Sequence, residues 1–296
     1  NEIPDELNAL EDYLSLPPFY PSYERHLPNY LTVMGMQPLK PNDGKATIGR
    51  VLFYDKNLSA DSKVSCASCH KQEFAFSDNE AVSTGIYGLK GTRNSIPLAN
   101  VASFSAHYNM ATGPNPLLLW DQRAANVAAQ STLAFLNDHE MGMTLQGVVN
   151  QVKSQPYYPW LWKKVYGSFN VNEQQILECL QEFVGAIGAD NSLFDQELER
   201  ANGLNGFSSD TIIIQIYNGD STSVGTLMPG ITPSMARGRT IFIANCSKCH
   251  SPIRPLQEVF EACNGLDLDY NDPGKAQLTG LANDVGVFKA PSLRNI

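Results

Sequence analysis

Apolar residues recur at helical spacing along much of the chain. Ile176, Leu180, Phe183, Val184 and Ile187 fall on one face of a segment that opens with Asn172 and Gln175, a capping-box pattern, so the spacing predicts a helix over 173–188. Thr232 and Pro233 supply an N-cap and a first-turn proline for a second helix, running through Ile241 toward Cys246. Segments 46–54, 122–135 and 144–154 read as three more. Period-two alternation is scarce. The β-branched, apolar run at 211–217 is the best strand candidate, and it fits buried helix equally well. The expected class is therefore mainly α with little β-structure. At 296 residues the chain is long enough for two domains. The Gly/Asn/Ser-rich stretch at 203–209 marks the cut, giving an N-terminal domain over 1–203 and a C-terminal one over 204–296.

Charge narrows the partners. With Lys+Arg 21 against Asp+Glu 30, the net charge is −9, so no basic field exists to hold nucleic acid or an anionic membrane. No run approaches the roughly 18 apolar residues of a membrane span. The chain begins Asn1-Glu2-Ile3-Pro4, the look of a mature product whose targeting segment has been removed, which permits export.

The cysteines carry the chemistry. Four of the 6 stand in Cys66-Ala67-Ser68-Cys69-His70 and Cys246-Ser247-Lys248-Cys249-His250. By chance such a pattern arises about 0.002 times in a chain of this composition, so two occurrences are meaningful. Two thiols three positions apart on one helical turn can add to the two vinyl groups of a single haem, and the next residue then offers its imidazole to the iron. Two c-type haems follow, and each half of the chain becomes a cytochrome-like domain. The competing reading is a zinc site or disulfides, which leaves both adjacent histidines unexplained. Cys179 falls inside the 173–188 helix as a small buried hydrophobe, and Cys263 is either the same or an exposed thiol.

Around these motifs the sequence resembles the bacterial di-haem cytochrome c peroxidase family, which includes the MauG-type enzymes. The resemblance runs from Ile48 to the last residue. It rests on Gly49-Arg50-Val51-Leu52-Phe53-Tyr54-Asp55, Lys90-Gly91-Thr92-Arg93-Asn94, Trp120-Asp121-Gln122-Arg123-Ala124, Glu140-Met141 and Pro291-Ser292-Leu293-Arg294-Asn295. It implies a peroxidatic haem held by His70 and an electron-transfer haem held by His250. It also assigns Trp120 to the tryptophan between the haems, Gln130 to the distal glutamine and Glu140 to the distal acid, the three standing ten apart in turn. A peroxidase needs such an acid to take a proton from one peroxide oxygen and return it to the other. A calcium ion is implied at Asn94, with backbone carbonyls near Lys289 and Pro291.

Two departures qualify the match. Many relatives place an iron-ligating histidine in the loop before Lys-Gly-x-Arg-Asn, where this chain has Thr84, Gly85, Ile86, Tyr87 and Gly88. The N-terminal haem is therefore expected to be open or water-bound, with Tyr87 the one side chain in that loop able to reach iron. The chain also stops at Ile296, before the segment that carries the sixth ligand of the second haem in relatives, and none of its 7 methionines matches that position. The remaining histidines, His26, His107 and His139, read as ordinary surface or core residues, although His139 stands beside Glu140. The expected activity is reduction of hydrogen peroxide with electrons from a cytochrome c or cupredoxin, in an extracytoplasmic compartment such as the periplasm, and family members are often homodimers. The alternatives are a MauG-type oxidase acting on a partner protein and a pure electron carrier. A distal acid and glutamine speak against the carrier.

Overall fold

The computed structural model describes residues 14, 21–29, 40–101, 118–205, 230–250, 261–267, 269–291 and 293, with 201–205 in backbone only. The chain divides into two compact units. One takes the described residues of 1–24, 39–105 and 124–188; the other takes those of 25–38, 106–123 and 189–296. The division thus falls after 188, whereas the composition shift suggests 203, and Trp120 goes with the later part of the chain. Each unit contains one Cys-x-x-Cys-His.

The first unit is built on two crossing helices, α1 (Asp43–Tyr54) and, later in the chain, α6 (Glu173–Ala186). Both begin where asparagine can cap them. Asn42 Oδ1 accepts from Lys45 N–H at 2.9 Å, and Asn172 Oδ1 accepts from Gln175 N–H at 2.9 Å while Gln175 Oε1 takes the Asn172 N–H in return. Ile48, Leu52 and Phe53 of α1 meet Ile176, Leu180 and Phe183 of α6 in a core from which water is excluded. The edge-to-face contact of the Phe53 and Phe183 rings, 5.2 Å between centroids, marks the seam. Gly49 lets the helices approach this closely, because a Cβ there would collide with the backbone carbonyl of Cys179.

Between these helices come α2 (Cys66–Cys69), α3 (Val127–Leu136), α4 (Leu145–Ser154) and α5 (Tyr158–Tyr166). Helix α3 starts five residues later than the expected 122, because Asn126 caps it through Ala129 N–H at 2.9 Å, while Gln122 has left-handed backbone, φ +63°. Helix α4 begins as expected, with Thr144 as its cap. Helix α5 is absent from the sequence reading. Pro159 in the first turn and Gly167 at φ +75° punctuate it.

In the second unit, α7 (Leu193–Asn205) and α8 (Pro233–Asn245) are followed by α9 (Ser247–His250) and the four-residue α10 (Ala276–Thr279). Strands β1 (Glu261–Cys263) and β2 (Val287–Lys289) form one antiparallel pair, with Ala262 opposite Phe288. A buried ion pair joins Arg25 to Asp190. The mainly helical class holds; the strand candidate at 211–217 and His107 lie outside the described residues. No helix of the described residues is long and apolar enough to cross a membrane.

Gly49→Ala should destabilise the protein by about 1–3 kcal/mol, since neither helix backbone can yield without unpacking the core. Urea unfolding of the two proteins measures this as a lower midpoint with an unchanged slope.

Candidate functional site

The first Cys-x-x-Cys-His forms a single helical turn. Ser65 opens it, its N–H donating to Ser68 Oγ at 3.0 Å, and His70 closes it, its N–H donating to the Cys66 carbonyl at 2.9 Å. Both motif thiols are free, as are the other four cysteines. Burial pushes the Cys66 thiol up to about 12, with charge on Cys69 and Glu140 acting in the same direction. Cys69 is raised too, again by burial first and with a contribution from Glu140. The Glu140 carboxylate is close enough to act on each.

His70 is aimed by the loop that follows it. Gln72–Phe74 makes one 3₁₀ turn, then Ala75 and Phe76 take successive left-handed conformations, each with φ +58°. This reverses the chain, so that Lys71 N–H meets the Ser77 carbonyl at 2.9 Å and the Phe76 carbonyl meets His70 Nδ1, also at 2.9 Å. Such backbone costs on the order of 1–2 kcal/mol per residue. Packing of the Phe76 ring against Phe53, 6.1 Å between centroids, offsets part of it. A carbonyl can only accept, so Nδ1 carries the proton and Nε2 keeps its lone pair for a metal. Burial holds the imidazole below its ordinary value, against the opposing pull of the Phe76 carbonyl, which keeps it neutral as a ligand must be.

The second motif repeats this device by other means. Helix α8 delivers Cys246 as its C-cap, with Cys246 N–H on the Phe242 carbonyl at 2.7 Å. His250 N–H returns to the Cys246 carbonyl at 3.0 Å, and His250 Nδ1 donates to the carbonyl of Pro291, just beyond β2, at 2.9 Å. Two thiols and an imidazole with Nε2 left for iron are the donors that c-type haem requires, so both turns fit the group. Among the described residues no cluster of three His, Cys, Asp or Glu forms such as zinc would need.

Glu140 sits on a tight turn after α3. Asn137 organises it: Asn137 Nδ2 donates to Glu140 Oε1 at 2.7 Å, Asn137 Oδ1 accepts from His139 N–H at 2.9 Å, and the Asn137 carbonyl takes the N–H groups of Glu140 and Gly142. Met143 N–H reaches back to the Phe135 carbonyl at 2.7 Å, so this turn folds against the end of the helix that carries Gln130. The loop at 84–91 closes over it. Ile86 N–H donates to the Glu140 carbonyl at 3.1 Å, and Gly85 lies against the His139 backbone where a Cβ would not fit. Ile86 is 3% exposed, packed at Gly142, whereas Tyr87 is 70% exposed, with its N–H on Asp61 Oδ2 at 2.9 Å. That backbone hydrogen bond is the main cause holding the Asp61 carboxyl below its usual range.

The other expected residues are placed as follows. Trp120 is half-buried in the second unit, its carbonyl taking the Lys289 N–H at 2.8 Å. Asn94, in the first unit, donates Nδ2 to the carbonyls of Glu80 at 2.8 Å and Asp78 at 3.4 Å, while Pro291, in the second, spends its carbonyl on His250. His26 is exposed, and so is His139, whose Nδ1 donates to the Lys90 carbonyl at 2.8 Å. Sequence reasoning missed Asn137 and the Phe76 carbonyl. Asn137 had a signal, an asparagine three residues before the acid, as in a turn; a main-chain carbonyl has none.

A sequence model described as di-haem cytochrome c peroxidase matches residues 43–203, more than half of the chain. Among named relatives, the methylamine utilization protein MauG of Methylophilus methylotrophus is 26% identical over 261 residues, 85% of this chain and 65% of that protein. The cytochrome c551 peroxidase of Nitrosomonas europaea is 27% identical over 270 residues, 88% of this chain and 70% of the relative. The chain thus spans about two thirds of the length of such relatives. A crystal structure of a MauG-like protein associated with microbial copper homeostasis superposes with a TM-score of 0.63 at 22% identity, over 95% of this chain and 75% of that one.

Gly85→Ala should loosen the 84–91 loop from the Glu140 turn and speed chymotryptic cleavage after Tyr87 by roughly tenfold, the equivalent of about 1.4 kcal/mol of local stability. Timed digestion followed by mass spectrometry checks it.

Proposed function

The chain belongs to the di-haem cytochrome c peroxidase family, and from that premise we propose that it reduces hydrogen peroxide to water with electrons from a small redox protein, a cytochrome c or a cupredoxin. The observation that carries this reading is the Glu140 carboxylate, held by Asn137 within electrostatic reach of both thiols of the first haem turn. A pure electron carrier has no use for an acid so placed.

Cys66, Cys69 and His70 would hold the first haem, and Cys246, Cys249 and His250 the second, one in each unit. Bound there, c-type haem supplies an iron that exchanges electrons one at a time and polarises a peroxide oxygen. Glu140 would take the proton from one peroxide oxygen and return it to the other, so that the leaving group departs as water. Asn137 keeps Oε1 engaged and thereby fixes which carboxylate oxygen faces the substrate. Gln130 orients peroxide by hydrogen bonding. The Phe76 carbonyl would raise the basicity of His70 as a ligand, so that it would push electron density toward a bound iron. His250 serves the haem that meets the donor, and Trp120 relays electrons onward, the role that the resemblance gives it.

Covalent attachment of c-type haem supports an extracytoplasmic location, the periplasm or its equivalent. A bound calcium ion and a homodimer belong to the same proposal. The MauG relatives favour a second reading, oxidation of a partner protein in place of a soluble donor. Steady-state turnover separates the two: the peroxidase consumes reduced cytochrome c or cupredoxin with peroxide, one peroxide per two electrons.

Glu140→Gln should keep both haems attached and both proximal ligands in place while peroxide turnover falls by about 10² or more, the scale of a lost general acid–base. Near-normal turnover would remove Glu140 from the mechanism. Because Ile86 is buried and no histidine stands at 84–88, the oxidised protein should also react with peroxide without prior reduction. Stopped-flow traces should therefore show no lag, and a lag abolished by pre-reduction would contradict this.

A further inference from the structure

An aromatic row runs the length of α5. The rings of Tyr157 and Tyr158 lie 4.7 Å apart between centroids, Tyr158 and Trp162 meet edge to face at 5.8 Å, and Trp162 stacks on Tyr166 at 6.0 Å and 25°. Tyr158 and Trp162 are fully buried. At one end, Tyr157 and Tyr158 reach Asp55, which caps α1 two residues after Phe53, and the Phe53 ring packs on Phe76, whose carbonyl holds His70 Nδ1, so the row ends on the support of the first haem turn. At the other, Tyr166 Oη touches the Sγ of fully buried Cys179 at 3.4 Å.

The polar atoms of this row distinguish it from ordinary core. Tyr157 and Tyr158 both donate to Asp55 Oδ2, each at 2.8 Å, and Trp162 Nε1–H donates to Gln175 Oε1 at 3.1 Å. Phenylalanine would fill the same space without calling for a carboxylate. Burial pushes the phenols of Tyr158 and Tyr166 well above their ordinary value. Each is therefore a protonated phenol that must shed its proton when it gives up an electron, and Tyr158 has an acceptor already in contact.

We propose that α5 is a hole-transfer ladder, carrying oxidising equivalents away from the first haem pocket to the Tyr166–Cys179 pair when peroxide arrives and the donor protein is lacking. The proposal rests on the peroxidase reading for its oxidant, hydrogen peroxide. Tyr158 gives one electron to the oxidised pocket and its phenolic proton to Asp55 Oδ2. Trp162 then returns an electron to Tyr158, the proton comes back from Asp55, and the indole keeps its N–H on Gln175. Tyr166 refills Trp162 and releases its hydroxyl proton to water at its half-buried edge. Finally the Cys179 S–H bond breaks and the Tyr166 O–H bond re-forms, leaving a thiyl radical. One peroxide takes two electrons, so a second passage ends on Tyr166.

The test uses the full di-haem protein in a Cys263→Ser background, because exposed Cys263, whose Sγ lies 3.0 Å from Tyr270 Oη, would react directly. Peroxide is added without donor to protein carrying ring-deuterated tyrosine, and freeze-quenched electron paramagnetic resonance and peptide mass spectrometry follow radical and oxidation products. The ladder predicts a tyrosyl signal narrowed by deuteration, with oxidation concentrated at Cys179 and Tyr166. Tyr166→Phe, which removes only a hydroxyl, should abolish Cys179 oxidation, and Trp162→Phe should do the same while leaving Soret and far-ultraviolet spectra unchanged. Unaltered Cys179 oxidation in both variants would overturn the proposal. A parallel flash-quench experiment with a ruthenium polypyridyl photooxidant makes the hole without peroxide. Radical formation by light alone keeps the ladder and removes the peroxidase reading; its absence by both routes removes the ladder.

Discussion

A main-chain carbonyl on histidine Nδ1 is the interaction on which the rest of this protein depends. It selects one tautomer and restrains the ring before any cofactor arrives. In net stability one such hydrogen bond contributes only about 1 kcal/mol, but its value lies in orientation. The two units reach it by different backbone routes. His70 relies on two successive left-handed residues, Ala75 and Phe76, and His250 on the chain leaving β2 at Pro291. The same result from unrelated local structures is what a requirement of the site, and not of the fold, would produce.

The helical frame exists to keep that geometry still. Where α1 crosses α6, Gly49 allows backbone contact, and Phe53 from the same helix both seals the core and buttresses the strained turn at Phe76. The Glu140 turn is held more lightly. One asparagine side chain and a loop pinned by Asp61 and Gly85 define where its carboxylate stands, so the His70 loop is rigid through packing and the Glu140 turn through hydrogen bonds.

Much of this was legible in the sequence. Cys-x-x-Cys-His states its chemistry outright, and the Asn172–Gln175 and Thr232 caps announced two helices because capping is a local contest between side chain and backbone. Helix α5 escaped notice since large aromatics bury themselves whatever the period, and its four-residue spacing reads as core until ring contacts appear. The start of α3 falls later than expected because Gln122, Arg123, Ala124 and Ala125 are all good helix formers, while only the conformation of Gln122 shows that the chain is still turning. The Phe76 and Pro291 carbonyls were invisible in principle, since every residue carries one. Leftover Cys179 read correctly as buried, but its tyrosine partner depends on which face of α5 meets α6.

The central claim is that only the iron held by His70 meets peroxide, on a face served by Glu140. One equivalent of peroxide mixed with the oxidised di-haem protein, freeze-quenched and examined by a spectroscopy that resolves the two irons, tests it most directly. The account predicts that the ferric signal of the His70 haem is lost first and that this loss slows sharply in Glu140→Gln. Initial reaction at the His250 haem, or equal rates with and without the Glu140 carboxyl, would contradict it.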